Sequence, residues 1–525
     1  MDTEYPPISS RTVESTRSSK LRLILLCASI TANALCAGGV YSFPLISPAL
    51  VKHMKLTQPQ LTTIALAGMV GQYPFAAFVG KLLDRYGPRM CSLLAAILFS
   101  LGLGLFSLEV ANTPDTISAP SSACFQRLSL YFGMAGLATV LSYFSIVFSS
   151  TTTFPKYMGI ASGTSMALFG FSPLLLSVLA SKFFTSPDPE EGLNVTNFLA
   201  FLAILSGVVH VFGAIVMNGR PRHLSTDSSS STPEDRPVSP TSSCSDFEGD
   251  HEGRGPSSDL DPEQQGLLIH RSPRKPPHEM AFHVVLQEPQ HGSVADLLTD
   301  PHFWLLALVM ALIVGSAEMV MANLGSIFLS LPSSSSSNSS PPSLIDVSTQ
   351  VQVLSASNTL SRLLIGPVAD FLSPVAAYLQ NGIWSFPRKQ HISRMVFLTG
   401  AAMLLAMTFL WSEVGIKTRE GMWVMSVGVG VAYGATFTVC PGILSSIWGL
   451  PNLGRNFGII SYAPFVGTTL FSYLYAFVAE HQTAPNENAC EGIKCWRTTF
   501  WISVLLMGTG MACSGVLWKR WKGRV

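Results

Sequence analysis

The sequence predicts an all-α membrane protein that crosses the bilayer about twelve times, in two arrays of six helices. Three observations predict it. Charged residues make up 12% of the 525 residues and hydrophobic ones 48%, whereas soluble domains devote about a quarter of their residues to charge. So little charge cannot cover a water-exposed surface, and lipid has to cover much of it. Second, apolar runs recur at the length a bilayer core needs, about twenty residues for about 30 Å. Third, one long polar segment divides those runs into two equal sets.

The elements follow in order. The first twenty residues are polar and read as an unstructured tail. Apolar runs come at approximately 23–46, 60–82, 90–109, 128–149, 158–180 and 196–217. The first is too long for a signal-peptide core and has no small-residue cleavage site behind it, so it reads as a retained helix. Residues 218–299 are rich in Ser, Pro and charge, with Ser228-Ser229-Ser230-Ser231 as the extreme. They cannot bury enough apolar surface to offset the entropy of ordering, and they read as a disordered linker. The second array comes at 302–331, 350–371, 394–411, 421–446, 456–479 and 498–518. Its run at 350–371 is the weakest, because it holds Asn358, Arg362 and Asp370. The chain therefore divides into a tail (1–20), a six-helix half (21–217), the linker (218–299), a second half (300–518) and a basic tail (519–525).

Lys and Arg decide the orientation. With the N-terminus in the cytosol, 23 of the 32 Lys and Arg fall on cytosolic segments, 8 on the opposite side and Arg362 inside a helix. Both termini are therefore expected in the cytosol. The sequons at Asn194 and Asn338 then face away from the cytosol, where glycosylation occurs. So do Cys490 and Cys495, five apart in a polar loop, where a disulfide can persist. The nine cysteines show no paired spacing suited to zinc.

One motif stands out between the second and third runs. It is Gly80-Lys81-Leu82-Leu83-Asp84-Arg85-Tyr86-Gly87-Pro88-Arg89. Gly80 would let a neighbouring helix approach closely. Asp84 at the helix end can accept from basic groups or face a helix N-terminus. Gly87 with Pro88 breaks the helix and leaves Arg85 and Arg89 at the membrane surface. Taken alone, the stretch also reads as an ordinary basic turn. The second half repeats it in reduced form, as Gly366-Pro367-Val368-Ala369-Asp370, with the basic tail missing. Matching motifs in matching helices of two halves imply a duplicated transporter.

On these residues the chain resembles the major facilitator superfamily, over everything but the tail and the linker. The resemblance implies the major facilitator fold, and a charge-relay gate at Asp84, Arg85 and Arg89 that Asp370 shares in part. Asp300-Pro301-His302-Phe303-Trp304 and Asn323-Leu324-Gly325-Ser326-Ile327 are similar to the nodulin-like branch. Length, the serine-rich linker and the opening helix resemble the fungal probable transporters called monocarboxylate transporter homologues, a group associated with the vacuolar membrane.

Ionisable groups at bilayer depth are candidates for function. Glu318 lies in the outer third of the expected seventh helix, Arg362 near the middle of the eighth, and His210 inside the sixth. A structural bridge between Glu318 and Arg362 is one reading, and substrate binding is the other. His210 is expected to be a packing histidine. In monocarboxylate transporters, which this stretch resembles, an aspartate four residues before such an arginine takes part in proton coupling. Here Asn358 stands there and cannot titrate, and the first helix lacks the lysine that family uses. Anion binding by Arg362 survives the comparison; proton cotransport by the same residues does not.

The expected function is a secondary active transporter that moves a small solute, with a slight lean to an organic anion, across the vacuolar membrane by alternating access. Arg362, Asn358, Glu318 and Asn323 would bind the substrate, and a proton through Glu318 is a candidate coupling ion. Membrane lipids surround the protein. Within the linker, Glu263-Gln264-Gln265-Gly266-Leu267-Leu268 resembles an acidic dileucine signal read by sorting adaptors. The alternative is a non-transporting membrane sensor or scaffold with the same fold. No nucleophile with a base, metal set or nucleotide cradle points to an enzyme or a cofactor, and no basic stripe points to nucleic acid.

Overall fold

A computed structural model of the chain describes residues 10–114, 121–154, 158–185, 192–217, 293–332, 344–373, 377–378, 384–385, 392–449, 453–483 and 490–522. Among the described residues, eleven helices are long and apolar enough to cross a membrane. They are span 1 (Lys20–Met54), span 2 (Gln58–Leu83), span 3 (Arg85–Asn112), span 4 (Ser122–Thr153), span 5 (Gly163–Phe183), span 6 (Val195–Val216), span 7 (Pro301–Ser330), span 9 (Met395–Gly415), span 10 (Arg419–Trp448), span 11 (Arg455–Gln482) and span 12 (Lys494–Arg520). The helix Leu344–Leu372 takes the place of span 8. It is not among the eleven, and it packs along spans 10 and 5, with Gln350, Asn358 and Ser361 buried.

Local chemistry sets several helix starts. Thr57 opens span 2 with a capping box, its backbone N–H donating to Gln60 Oε1 at 3.0 Å. Asp300 caps span 7 by accepting from the His302 N–H at 2.9 Å, and Pro301 sits at the first helical position, where no N–H is needed. Two boundaries differ from the sequence expectation. The first helix runs back to Ser10, into the supposed tail. The supposed linker ends in a short helix, Val294–Thr299, held by a Ser293–Asp296 capping box. A two-residue antiparallel ribbon, Ala377–Tyr378 with Trp384–Ser385, lies between spans 8 and 9.

Without water to drive helices together, membrane helices associate through close backbone packing at small residues. In the first half, a Cβ on Gly136 would stand 1.9 Å from the Gly68 carbonyl oxygen, joining spans 4 and 2. The second half repeats this at Gly430 and Gly434, where a Cβ would come within 2.6 Å of span 8 carbonyls. Side chains such as Leu505, Val414, Ile204 and Leu470 are more than 60% exposed. In water that outer surface would be an aggregation site; facing lipid it is the expected solution.

Span 2 turns into span 3 at Gly87, whose φ of 77° is one that L side chains rarely adopt. This turn marks one end of the bundle, the turn face.

Candidate functional site

Two helix breaks prepare the centre of the molecule. Span 1 is interrupted by a 3-10 turn, Ala37–Ser42. There Ser172 of span 5 repairs the freed backbone, accepting from the Gly38 N–H at 3.0 Å and donating to the Leu35 carbonyl at 2.6 Å. A Cβ on Gly38 would strike that hydroxyl at 2.6 Å. Span 2 breaks at Tyr73–Phe75, around Pro74. Irregular backbone at membrane depth is tolerated where it lines a cavity, and a cavity lies beside both breaks.

The cavity has a volume of about 60 Å³, room for a few water molecules, and spans 1, 2, 4, 5, 7, 8 and 10 contribute to its wall. Tyr41, Phe43, Phe132, Phe169 and Tyr433 make the wall largely aromatic. Among the described residues, Arg362 is the single charged one that lines it. The guanidinium is held by its stem: Nε donates to Asn358 Oδ1 at 3.0 Å, one helical turn back. The rings of Tyr433 and Phe437 flank it, with centroids 5.8 and 5.7 Å from the guanidinium carbon. Among the described residues its terminal nitrogens make no hydrogen bond or ion pair. Gly170 of span 5 faces the same stem, 3.5 Å from Asn358 to a hypothetical Cβ.

Glu318 is fully buried, and not in the outer third of its helix: Pro301–Ser330 places it just past the middle. It is absent from the cavity wall. Three hydroxyls donate to its carboxyl group. Tyr73 of span 2 and Tyr433 of span 10 (3.0 Å) share Oε1, while Thr468 of span 11 donates to Oε2 at 2.6 Å. No ion pair joins Glu318 to Arg362 among the described residues. Tyr433 connects them instead, its hydroxyl on the carboxyl group and its ring beside the guanidinium.

Asn323 is also off the cavity wall. Its Oδ1 accepts from Gln58 Nε2 at 2.8 Å and Thr62 Oγ1 at 3.4 Å, both in span 2, and its Nδ2 donates to the Met319 carbonyl. Two residues on, a Cβ on Gly325 would stand 2.4 Å from the Pro44 carbonyl oxygen of span 1. The Asn-Leu-Gly stretch therefore packs on the first half, toward the face opposite the turn.

At the turn face the motif is partly as expected. The side chain of Asp84 lies outside the described residues. Arg85 is exposed over the Tyr86 ring, and Arg89 Nε donates to the Ala214 carbonyl at 2.9 Å. A Cβ on Gly80 would meet Phe144 at 3.7 Å, an ordinary contact, so close helix approach is not what this glycine serves. The second copy, whose adjacent basic tail is missing, takes a basic partner from further along the chain. Arg394, which arrives 24 residues later at the start of span 9, donates to Asp370 Oδ1 at 2.6 Å and to the Ser373 carbonyl at 3.0 Å. Gly442 leaves the room: a Cβ there would stand 1.7 Å from Arg394 Nη1. Gly366 meets Thr438 at 3.4 Å.

His210 packs as expected, with Nδ1 2.7 Å from the Ser206 carbonyl and Nε2 2.7 Å from Ser142 Oγ. Asn194 caps span 6, its Oδ1 accepting from the Asn197 N–H at 2.9 Å. The structure joins Cys490 and Cys495 in a disulfide, and the Gly492 N–H within that loop donates to the Ser330 carbonyl at 2.7 Å. Asn338, Glu263, Leu267 and Leu268 lie outside the described residues.

Reading the sequence for charge missed the tyrosines. Tyr41, Tyr73 and Tyr433 look like ordinary apolar-run residues, and Tyr41 donates to Gln72 Oε1 at 3.1 Å. The signal that marks two of them is Gly38-Gly39 and Pro74, helix breakers inside apolar runs, the first within three residues of Tyr41 on the cavity wall and the second next to Tyr73 on Glu318.

A family model described as Major Facilitator Superfamily matches residues 28–415. A probable transporter MCH1 of Gibberella zeae is 28% identical over 97% of this chain and 91% of its own length. A probable transporter mch1 of Neurospora crassa is 27% identical over 95% and 88%. Among solved structures, the xylose transporter XylE from E. coli in an inward open conformation superposes with a TM-score of 0.59, at 12% identity, covering 95% of this chain and 96% of its own. The nucleoside transporter NupG does so with a TM-score of 0.57 at 12% identity, covering 95% and 99%. At such identities the two structures speak for the fold alone.

Proposed function

Since the chain belongs to the major facilitator superfamily, a family of transporters and not of enzymes, we propose that it is a secondary active transporter carrying a small organic anion by alternating access. Transport of a small solute follows from the family and from relatives named as transporters. The anion rests on one observation: the single charged residue on the cavity wall is Arg362, with its terminal nitrogens unoccupied by any described residue. A planar guanidinium presents paired donors that match a carboxylate or phosphate. At membrane depth beside aromatic rings, a charge without a partner among the described residues is costly, and a substrate of opposite sign offsets that cost. Asn358 acts by fixing the guanidinium. Glu318 and Asn323 act from behind the wall, one on Tyr433 and one on the contact between halves. A proton carried on Glu318 is the coupling ion of this reading.

The membrane is that of the vacuole, with both termini in the cytosol. The Lys and Arg distribution supports the orientation. The resemblance to the vacuolar group and the pattern from Glu263 to Leu268 support the destination. Asn338 would then be a glycan acceptor, and Asn194 a poorer one, because its side chain caps a helix.

Metabolite profiling of vacuoles from cells with and without the protein tests this reading. A small carboxylate or phosphate ester whose vacuolar content changes supports it. A change confined to neutral or cationic solutes refutes the anion.

A further inference from the structure

We infer that Tyr433 is the residue through which a proton on Glu318 controls anion binding at Arg362. The inference rests on the anion reading above and adds the route of coupling.

The geometry allows one side chain to serve both sites. Tyr433 lines the cavity, its hydroxyl donates to Glu318 Oε1 at 3.0 Å, and its ring flanks Arg362. Of the three hydroxyls on Glu318, those of Tyr73 and Thr468 belong to residues that do not line the cavity. Around the carboxyl group, the groups that titrate or carry charge are Tyr73 from span 2, Tyr41 from span 1, Tyr433 from span 10 and, past Tyr433, Arg362 from span 8.

An ionised carboxylate accepts only, and hydrogen bonds to it are roughly twice as strong as those between neutral groups. With Glu318 ionised, the Tyr433 O–H is held on Oε1, and the negative charge behind it opposes a second anion in the cavity. A proton from solvent on Glu318 changes both terms in the same direction. The neutral carboxyl group holds Tyr433 more weakly, so its O–H is free to turn to an anion on Arg362, and the like-charge repulsion is gone. Proton and anion therefore bind together. By linkage each raises the affinity for the other by the same factor.

The test uses the full chain in nanodiscs, in weakly buffered solution with a pH indicator, titrated in turn with acetate, pyruvate and succinate. Wild type should take up protons as the anion binds, approaching one per anion. Its affinity should then fall by as much as about tenfold per pH unit on the alkaline side. Tyr433→Phe keeps the ring beside Arg362 and removes one oxygen, and Glu318→Gln removes the titrating group. Glu318→Gln should bind the anion without proton uptake, its affinity changing less than about twofold over the same range, while Tyr433→Phe, which keeps the Glu318 charge and loses the switching hydroxyl, should take up clearly fewer protons per anion than wild type. Tyr433→Phe is the milder variant and decides the matter if Glu318→Gln fails to fold. If an anion binds and proton uptake matches wild type in Tyr433→Phe, the anion reading stands and the coupling route is overturned. If none of the three binds wild type, the anion reading itself falls, and this inference with it.

Discussion

Gln58 Nε2 donates a 2.8 Å hydrogen bond to Asn323 Oδ1, tying the start of span 2 to span 7 across the seam between the two halves. Beside it, Gly325 lies against the Pro44 carbonyl oxygen with no room for a methyl group. The two contacts put Asn323 and Gly325 at the seam, while Leu324 between them lines the cavity. Cysteines at both positions (Q58C with N323C) should cross-link in membranes with a short oxidant, and the cross-link should stop transport until it is reduced. Asn323→Ala alone should change transport rate more than apparent substrate affinity. An affinity loss without a rate loss would return Asn323 to the binding site.

Asp84 follows the end of span 2, three residues before Gly87, and the gate expected there from the family resemblance would lose a charge in Asp84→Asn. Asp84→Asn should leave yield and delivery intact and lower transport roughly tenfold or more, the scale of a coupling free energy of about 1–3 kcal/mol. Wild-type flux in that variant would remove Asp84 from the gate.

The second half offers a sharper version of the same experiment, because its pair is visible. Arg394 reaches Asp370 over Gly442. Gly442→Ala should displace the guanidinium, and overpacking of this kind costs about 1–3 kcal/mol. Thermal unfolding of the purified variant should show that loss. Asp370→Asn should give a smaller one, since Asp370 is largely exposed. Unchanged melting in Gly442→Ala would mean that Arg394 has another resting place.

The destination is tested in the linker. Leu267→Ala with Leu268→Ala should move a tagged protein from the vacuolar rim to the cell surface or endosomes. Unchanged vacuolar labelling would place the signal elsewhere, for instance in the N-terminal tail.

Twelve helices in two halves were legible because the signal is coarse: a bilayer demands length and apolarity, and eleven spans announce both. Span 8 hides, since Asn358, Arg362 and Asp370 lower its hydropathy, yet two of those residues, Asn358 and Arg362, lie on the cavity wall. Contacts between distant segments were not legible. Arg394 stands 24 residues from Asp370, and nothing in the local pattern of either points to the other. Tyr433 was invisible for a different reason: a tyrosine in an apolar run is ordinary packing until its hydroxyl is seen on a buried carboxyl group. The glycine motif misled in one detail. Gly80 has room to spare, while the glycines that bring helices together, Gly68 with Gly136 and Gly430 with Gly434, lay in stretches too common to single out.

The central claim is that the protein moves an anion held by Arg362. Its most direct test is uptake of labelled acetate, pyruvate and succinate into proteoliposomes that contain the purified chain, with an imposed pH gradient. The account predicts saturable uptake of at least one of them above protein-free liposomes, abolished in Arg362→Ala and weakened in affinity in Arg362→Lys, which keeps the charge but loses the planar fork. Equal uptake by wild type and Arg362→Ala would contradict it, and no uptake of any small solute would favour a sensor that kept the fold and gave up transport.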